Sequence, residues 1–221
     1  MPKIRTVLFD GGGTIFDDLD VMLKTISTIL DYYGLKEISL SEFKQEFCMP
    51  YWKFFMSRGL DESKAISETP HLFSKNYDVN KVKLFPDVIN TLDSLKNVKD
   101  MRIGLVSQMP RIIILDLLER FSISKYFDVI VGLEDSKIQK PSSLPILTAL
   151  SYKSSKNKII YVGDMREDIQ AAKKAKVLSV AINGKRSYHD LNLLTREKPD
   201  FIITKLSELP LIVEQFENQT E

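Results

Sequence analysis

This 221-residue chain is poor in the side chains that most often build metal clusters and crosslinks: it has one cysteine, Cys48, and two histidines, His71 and His189. A single thiol excludes an intrachain disulfide and a thiolate metal cluster. The two histidines are isolated and suggest neither a metal site nor a nucleophile–base pair. Charge of one sign is also missing. With 31 basic against 30 acidic residues, the net charge is +1, so no dedicated nucleic-acid or anionic-membrane surface is expected. No apolar run approaches the length of a membrane span, and "MPKIRTVLFD" lacks a signal-peptide pattern. Two glycine-loop signatures are absent as well. No Gly-Lys-Ser/Thr occurs, and a G-x-G-x-x-G frame starting at Gly11 ends on Phe16. There is no internal repeat. These absences point to an ordinary soluble, cytoplasmic, globular protein.

Short apolar runs alternate with helical patterns. Strands are expected at 4–9, 103–106, 128–131, 159–162, 177–182 and 201–203, apolar on both faces as in a buried parallel sheet. Helices are expected near 87–97, 110–121, 142–151, 165–175 and 206–217, and the run at 151–158 reads as a polar loop. This alternation implies an α/β fold, a doubly wound parallel sheet whose ligands bind at the carboxyl ends of the strands. Residues 17–83 break the rhythm. Leu19, Met22, Leu23, Ile26, Leu30 and Tyr33 fall at helical spacing, as do Phe43, Phe47, Tyr51, Phe54 and Phe55, with Pro50 splitting the second set. A third helix is expected from about Asp61, and Pro70 starts a new turn. No strand is expected there, so the segment reads as a small all-helical insertion after the first strand.

Four strand ends carry polar side chains. Asp10 begins "DGGGT", Ser107 and Gln108 follow "IGLV", Lys140 precedes Pro141, and Asp164 ends "IIYVGD" with Asp168 four residues on. Each has an innocent reading: a tight glycine turn, a helix cap, a solvated lysine, and a capping box formed by Asp164 and Glu167. On one edge of a parallel sheet, however, carboxylates, a hydroxyl and an ammonium converge. That set suits phosphoryl transfer, in which carboxylates bind magnesium and the cations neutralise phosphate oxygens.

With these motifs the chain resembles the haloacid dehalogenase-like (HAD) hydrolase superfamily over nearly its whole length, in the helical-cap subclass. Asp10-Gly11-Gly12-Gly13-Thr14 is similar to its Asp-x-Asp-x-Thr motif with the second aspartate absent. Ser107, Lys140-Pro141 and Gly163-Asp164 with Asp168 match the other three. The resemblance implies a Rossmann-like core at 1–16 and 84–221 with a cap at 17–83 that covers the site and selects the substrate. It also implies Asp10 as nucleophile, with Mg2+ held by Asp10, the carbonyl of Gly12, and Asp164, and supported by Asp168. Ser107 and Lys140, with amides near Gly11 and Gly12 and the neighbouring Gln108, would hold the phosphoryl group of a small phosphorylated metabolite.

Gly12 is the departure from that pattern. The second aspartate of typical family phosphatases protonates the leaving oxygen and then activates water, and losing such a group costs roughly 10²–10⁴-fold with a poor leaving group. Three readings follow. One is a magnesium-dependent phosphohydrolase with a good leaving group or another acid/base, for which Asp17 and Asp18 are near in sequence. The second is carbon-centred chemistry, dehalogenase-like or phosphonatase-like. The latter needs a cap lysine, and Lys24, Lys36, Lys44, Lys53, Lys64 and Lys75 are available. The third is a non-catalytic phosphate-binding homologue. Within the insertion the aromatic cluster reads mainly as core, with Trp52 as the candidate for substrate or partner contact.

Overall fold

The computed structural model describes residues 3–150 and 158–218; part of the loop expected at 151–158 lies outside them. In chain order the strands are β1 Ile4–Phe9, β2 Phe16–Asp17, β3 Lys83–Leu84, β4 Arg102–Val106, β5 Val129–Val131, β6 Lys158–Gly163, β7 Leu178–Ile182 and β8 Phe201–Ile203. The sheet order is β5-β4-β1-β6-β7-β8, and all its pairings are parallel. The chain moves outward from β1 to β4 and β5, then crosses back to β6 and continues to β7 and β8. The order therefore reverses between β1 and β6, and in such sheets the crevice beyond the strand ends at that point is where ligands sit.

The helices are α1 Leu19–Tyr32, α2 Leu40–Glu46, α3 Tyr51–Ser57, α4 Glu62–Ser67, α5 Thr69–Asn76, α6 Val88–Lys96, α7 Arg111–Arg120, α8 Leu144–Leu150, α9 Arg166–Ala175, α10 Leu191–Arg196 and α11 Leu209–Asn218. Alternating side chains of each strand point to opposite faces, so the sheet carries core on both sides. Val7, Phe9, Ile103, Leu105, Ile160 and Val162 join one cluster, which contains Leu92, Ile114 and Val213 of α6, α7 and α11. Leu8, Val106 and Tyr161 face the other way, with Ile146 of α8 and Ala171 and Ala172 of α9. Burial on both faces explains why the strands read as continuous apolar runs.

Helices α1–α5 form the insertion. In α1 the buried residues Leu19, Met22, Ile26, Ile29 and Leu30 repeat every three or four positions and form one stripe. α2 ends at Glu46 and Pro50 stands at the N-cap of α3, so Phe43 and Phe54 lie on separate helices. Ser39 and Glu42 close a capping box on α2, and the Asp61 carboxylate accepts from the Lys64 N–H at the start of α4. The insertion is flanked by β2 and β3, which pair antiparallel as Phe16 with Leu84 and Asp17 with Lys83. This two-stranded ribbon and α10 were not expected from sequence.

Candidate active site

Asp10 follows β1, and its N–H donates to the Val162 carbonyl of β6 at 2.8 Å. This places its carboxylate at the reversal of strand order. Lys140 reaches in from the segment before α8. Its ammonium donates to Asp10 Oδ1 and Asp168 Oδ1, both at 2.6 Å, and to the Tyr161 hydroxyl at 2.9 Å. Tyr161 in turn donates to the Val106 carbonyl. Lys140 is 3% exposed, so the pair is shielded from solvent and far stronger than a surface ion pair. Burial pushes Asp10 up to about 7, against the pull of the Lys140 ammonium. Burial by itself would lower the Lys140 pKa, but the charges of Asp10 and Asp168 win and raise it well above the usual lysine range.

Asp164 follows β6 and is fully buried. The capping box expected from Asp164 and Glu167 does not form. Helix α9 starts one residue later, and Asp168 accepts from the Met165 N–H at 3.0 Å. Asp164 is thereby free for another role, with Oδ2 accepting from the Tyr188 N–H at 2.5 Å. Its Oδ1 is buried with no hydrogen-bond partner among the described residues. Burial first, then the charges of Asp168 and Asp10, raise its pKa well above the ordinary carboxylate range. Carboxylate oxygens of Asp10, Asp164 and Asp168 lie within 4.8 Å of one another. An orphaned buried oxygen in a crowded carboxylate cluster fits a hard divalent cation, which takes oxygen ligands and supplies the missing positive charge. Both oxygens of Asp168 already have partners, Lys140 and the Met165 N–H, so Asp168 suits support better than direct ligation.

Gly13 has φ +70°, the left-handed region, and a Cβ there would collide with the Asp164 carboxylate. Only glycine lets this loop pass so close to Asp164. Gly12 is the more informative position. A Cβ on it would stand 2.8 Å from Asp18 Oδ2 and 2.8 Å from the Tyr188 hydroxyl. The room that a side chain at 12 would enter is thus bordered by the carboxylate of Asp18. Asp18 precedes α1 without capping it. Its Oδ1 instead accepts from the Gly13 N–H at 3.1 Å, and its Oδ2 from the Tyr77 hydroxyl at 2.6 Å. Burial lifts Asp18 to about 6, held back by the phenols of Tyr77 and Tyr188. Asp17 points away and pairs with Arg186.

Ser107 and Gln108 follow β4. Asp10, Gly12, Ser107, Gln108, Lys140 and Tyr188 line a cavity of about 30 Å³, room for a water or two. Its other walls are Met109 and Met165, plus Met22, Phe47, Met49, Tyr51 and Phe73 from the insertion. Trp52 does not line it; it borders a separate open groove beside Lys53 and Lys137. None of the insertion's lysines lines it either. His189 is buried. Its Nδ1 accepts from the Arg166 N–H, and its Nε2–H, in the tautomer this assigns, donates to the Phe47 carbonyl at 2.8 Å. It ties the insertion to the core and is not paired with a nucleophile. Tyr77, Tyr161 and Tyr188 were missed at the sequence level. Only Tyr161, a hydroxyl inside an otherwise apolar strand, left a signal there.

The geometry sets a carboxylate beside an ammonium, a hydroxyl and a cation-ready carboxylate cluster, an arrangement fit for nucleophilic displacement at an anionic centre. Comparison with known proteins agrees. The profile of the haloacid dehalogenase-like hydrolase family matches residues 7–182. A protein of Caldanaerobacter subterraneus subsp. tengcongensis, provisionally named pyrophosphatase PpaX, is 33% identical over 213 residues, 96% of this chain and 95% of that one. The phosphoglycolate phosphatase of Escherichia coli is 35% identical over 127 residues, 57% of this chain and 49% of the relative. A solved haloacid dehalogenase-like hydrolase from Bacteroides fragilis, provisionally so named, superposes with TM-score 0.84 at 25% identity, covering 94% of this chain and all of that one. The chain belongs to the haloacid dehalogenase-like hydrolase family and has the family's Rossmann-like fold. It is an enzyme of the hydrolase class, with the phosphatase type favoured by its relatives.

Proposed function

We propose that the protein is a magnesium-dependent phosphohydrolase that acts on a small phosphorylated metabolite through an aspartyl-phosphate on Asp10. The observation that carries this reading is the buried Asp10–Lys140 contact of 2.6 Å at the floor of a cavity. Lys140 holds one oxygen of Asp10 and leaves the other to attack phosphorus as the bond to the leaving oxygen breaks. Ser107 and Lys140 steady the phosphoryl oxygens, with the Gly11 and Gly12 amides and Gln108 beside them. Water then attacks the aspartyl-phosphate, releasing phosphate and restoring Asp10. Bound by Asp10, Asp164 and the Gly12 carbonyl, with Asp168 in support, Mg2+ would supply positive charge for the phosphoryl oxygens. Gly12 offers no side chain for proton transfer, so the acid/base step is weakened or atypical.

Residues 17–83 act, in this reading, as a cap over a core of residues 1–16 and 84–221, in a protein working in the cytoplasm. No helix among the described residues is long and apolar enough to cross a membrane.

The test is hydrolysis of p-nitrophenyl phosphate and acetyl phosphate with and without magnesium. Wild type should turn over in a magnesium-dependent way, and Asp10→Asn should lose at least about 10⁴-fold while keeping its fold. Activity that survives Asp10→Asn would remove Asp10 as the nucleophile.

A further inference from the structure

The walls of the cavity divide by charge. The core side carries Asp10 and Lys140, whereas the insertion contributes only Met22, Phe47, Met49, Tyr51 and Phe73. Lys140 is the only cation among the described residues that line the cavity, and its ammonium is already shared by Asp10 and Asp168. The insertion has basic side chains, but they are placed elsewhere. Arg58 is paired with Glu46, Lys44 donates to the Lys185 carbonyl, Lys24 borders an open polar groove, and Lys53 borders the groove beside Trp52. Meanwhile Asp10, Asp18, Asp164 and Asp168 lie together at the cavity floor and behind it, outnumbering the one lysine.

A phosphate ester with a second anion in its leaving group would bring that charge against methionine and aromatic side chains whose one polar group is the Tyr51 hydroxyl, with no cation among them. A buried unpaired charge is expensive, and the surrounding carboxylates would repel it. An uncharged apolar group, by contrast, meets thioethers and rings, and flexible methionines adapt their shape to what they enclose.

Resting on the phosphohydrolase reading, and on outward movement of the insertion to admit more than the water or two that the cavity has room for here, we propose that the substrate is a phosphate ester or anhydride whose leaving group is small, apolar and uncharged, and that the methionine–aromatic wall of the insertion selects it. Phosphoglycolate and pyrophosphate, which the names of two relatives indicate, both carry a second anion and are poor substrates here.

The experiment compares two phosphonates of the same shape, 3-methylbutylphosphonate and 2-carboxyethylphosphonate, which differ in a neutral against a charged branched end. Their binding to the full chain is measured by calorimetry in magnesium. The neutral phosphonate should bind at least tenfold tighter, and Met49→Lys, which puts a cation on the wall, should narrow or reverse the ranking. Equal or tighter binding of the carboxylate by wild type, or no binding of either, overturns the proposal. In parallel, kcat/KM is measured for 3-methylbutyl phosphate, phosphoglycolate and pyrophosphate. Turnover of either doubly anionic compound as fast as the neutral ester overturns it too. If no ester is hydrolysed, the phosphohydrolase reading fails, while the phosphonate ranking still decides the selectivity of the wall.

Discussion

Two buried acidic sites adjoin the loop that leaves β1, one of three carboxylates and one of Asp18 alone, and they solve the same problem differently. On one side Asp10 and Asp168 share the Lys140 ammonium, with Asp164 close by. On the other, Asp18 is only 1% exposed, yet among the described residues it has no cation against it, only the Tyr77 hydroxyl, the Gly13 N–H and the neighbouring Tyr188 phenol. The first cluster holds its charge with charge, in the place where, under the proposed function, a phosphoryl group is received. The second holds a carboxylate with neutral donors, beside a glycine where a side chain is missing. Under the proposed function the first group acts on a substrate, whereas Asp18 fills a space and steadies the loop.

The largest effect should come from removing the cation. Lys140→Met leaves Asp10 and Asp168 buried and unpaired, and breaking a buried pair from one side costs about 3–5 kcal/mol. Urea unfolding in magnesium-free buffer measures this, and turnover should vanish as well. Tyr77→Phe removes one hydrogen bond to a charged group from the second cluster and should cost less, about 1.5–3 kcal/mol. Equal losses would mean that the two clusters do not differ in the way described.

An effect no larger than that of Tyr77→Phe, and of opposite pH sense to a normal acid, is expected at Asp18. Burial raises it to about 6 in the folded protein, against 3.8 for an ordinary aspartate. The folded state therefore holds a proton more tightly than the unfolded chain between pH 4 and 6. That contribution is complete below pH 4 and is lost as pH rises through 6. Relative to Asp18→Asn, wild type should lose about 2 kcal/mol between pH 4 and pH 7 in magnesium-free buffer. A stability difference that stays flat over this range would show that Asp18 remains ionised in the fold.

Much of this arrangement is legible in sequence, for reasons particular to each element. β1, β4 and β6 are buried on both faces, so their runs are mostly apolar, interrupted by Arg5 and Thr6 in β1 and Tyr161 in β6, and their ends are marked by Asp10, Ser107 and Asp164. Pro50 marks a helix start by its restricted backbone and Asp61 by its capping carboxylate. β2 and β3 have two residues each, too few to show a period, and α10 is six residues long. The expected Asp164–Glu167 box failed because the Tyr188 N–H, a tertiary partner, competes for Asp164. Asp18 was visible only as one of two adjacent acids. Which one turns inward depends on Tyr77, 59 positions away, and on Arg186, which draws Asp17 outward. Local sequence carries no record of either contact.

The finest test of the two clusters is to move the carboxylate. Gly12→Asp alone puts a Cβ 2.8 Å from Asp18 Oδ2, which is too close, and adds a second charge to a site without a cation. Crowding of this kind costs about 1–3 kcal/mol. In Gly12→Asp/Asp18→Ala the new side chain enters space that Asp18 has vacated, and the Tyr77 hydroxyl can donate to it. The double variant should recover at least half of the loss in a urea midpoint, a coupling between neighbours that separate substitutions would not show. The two substitutions would cost independently if Asp18 merely stood near the loop. Their measured coupling therefore decides whether the carboxylate at 18 and the missing side chain at 12 occupy one and the same space.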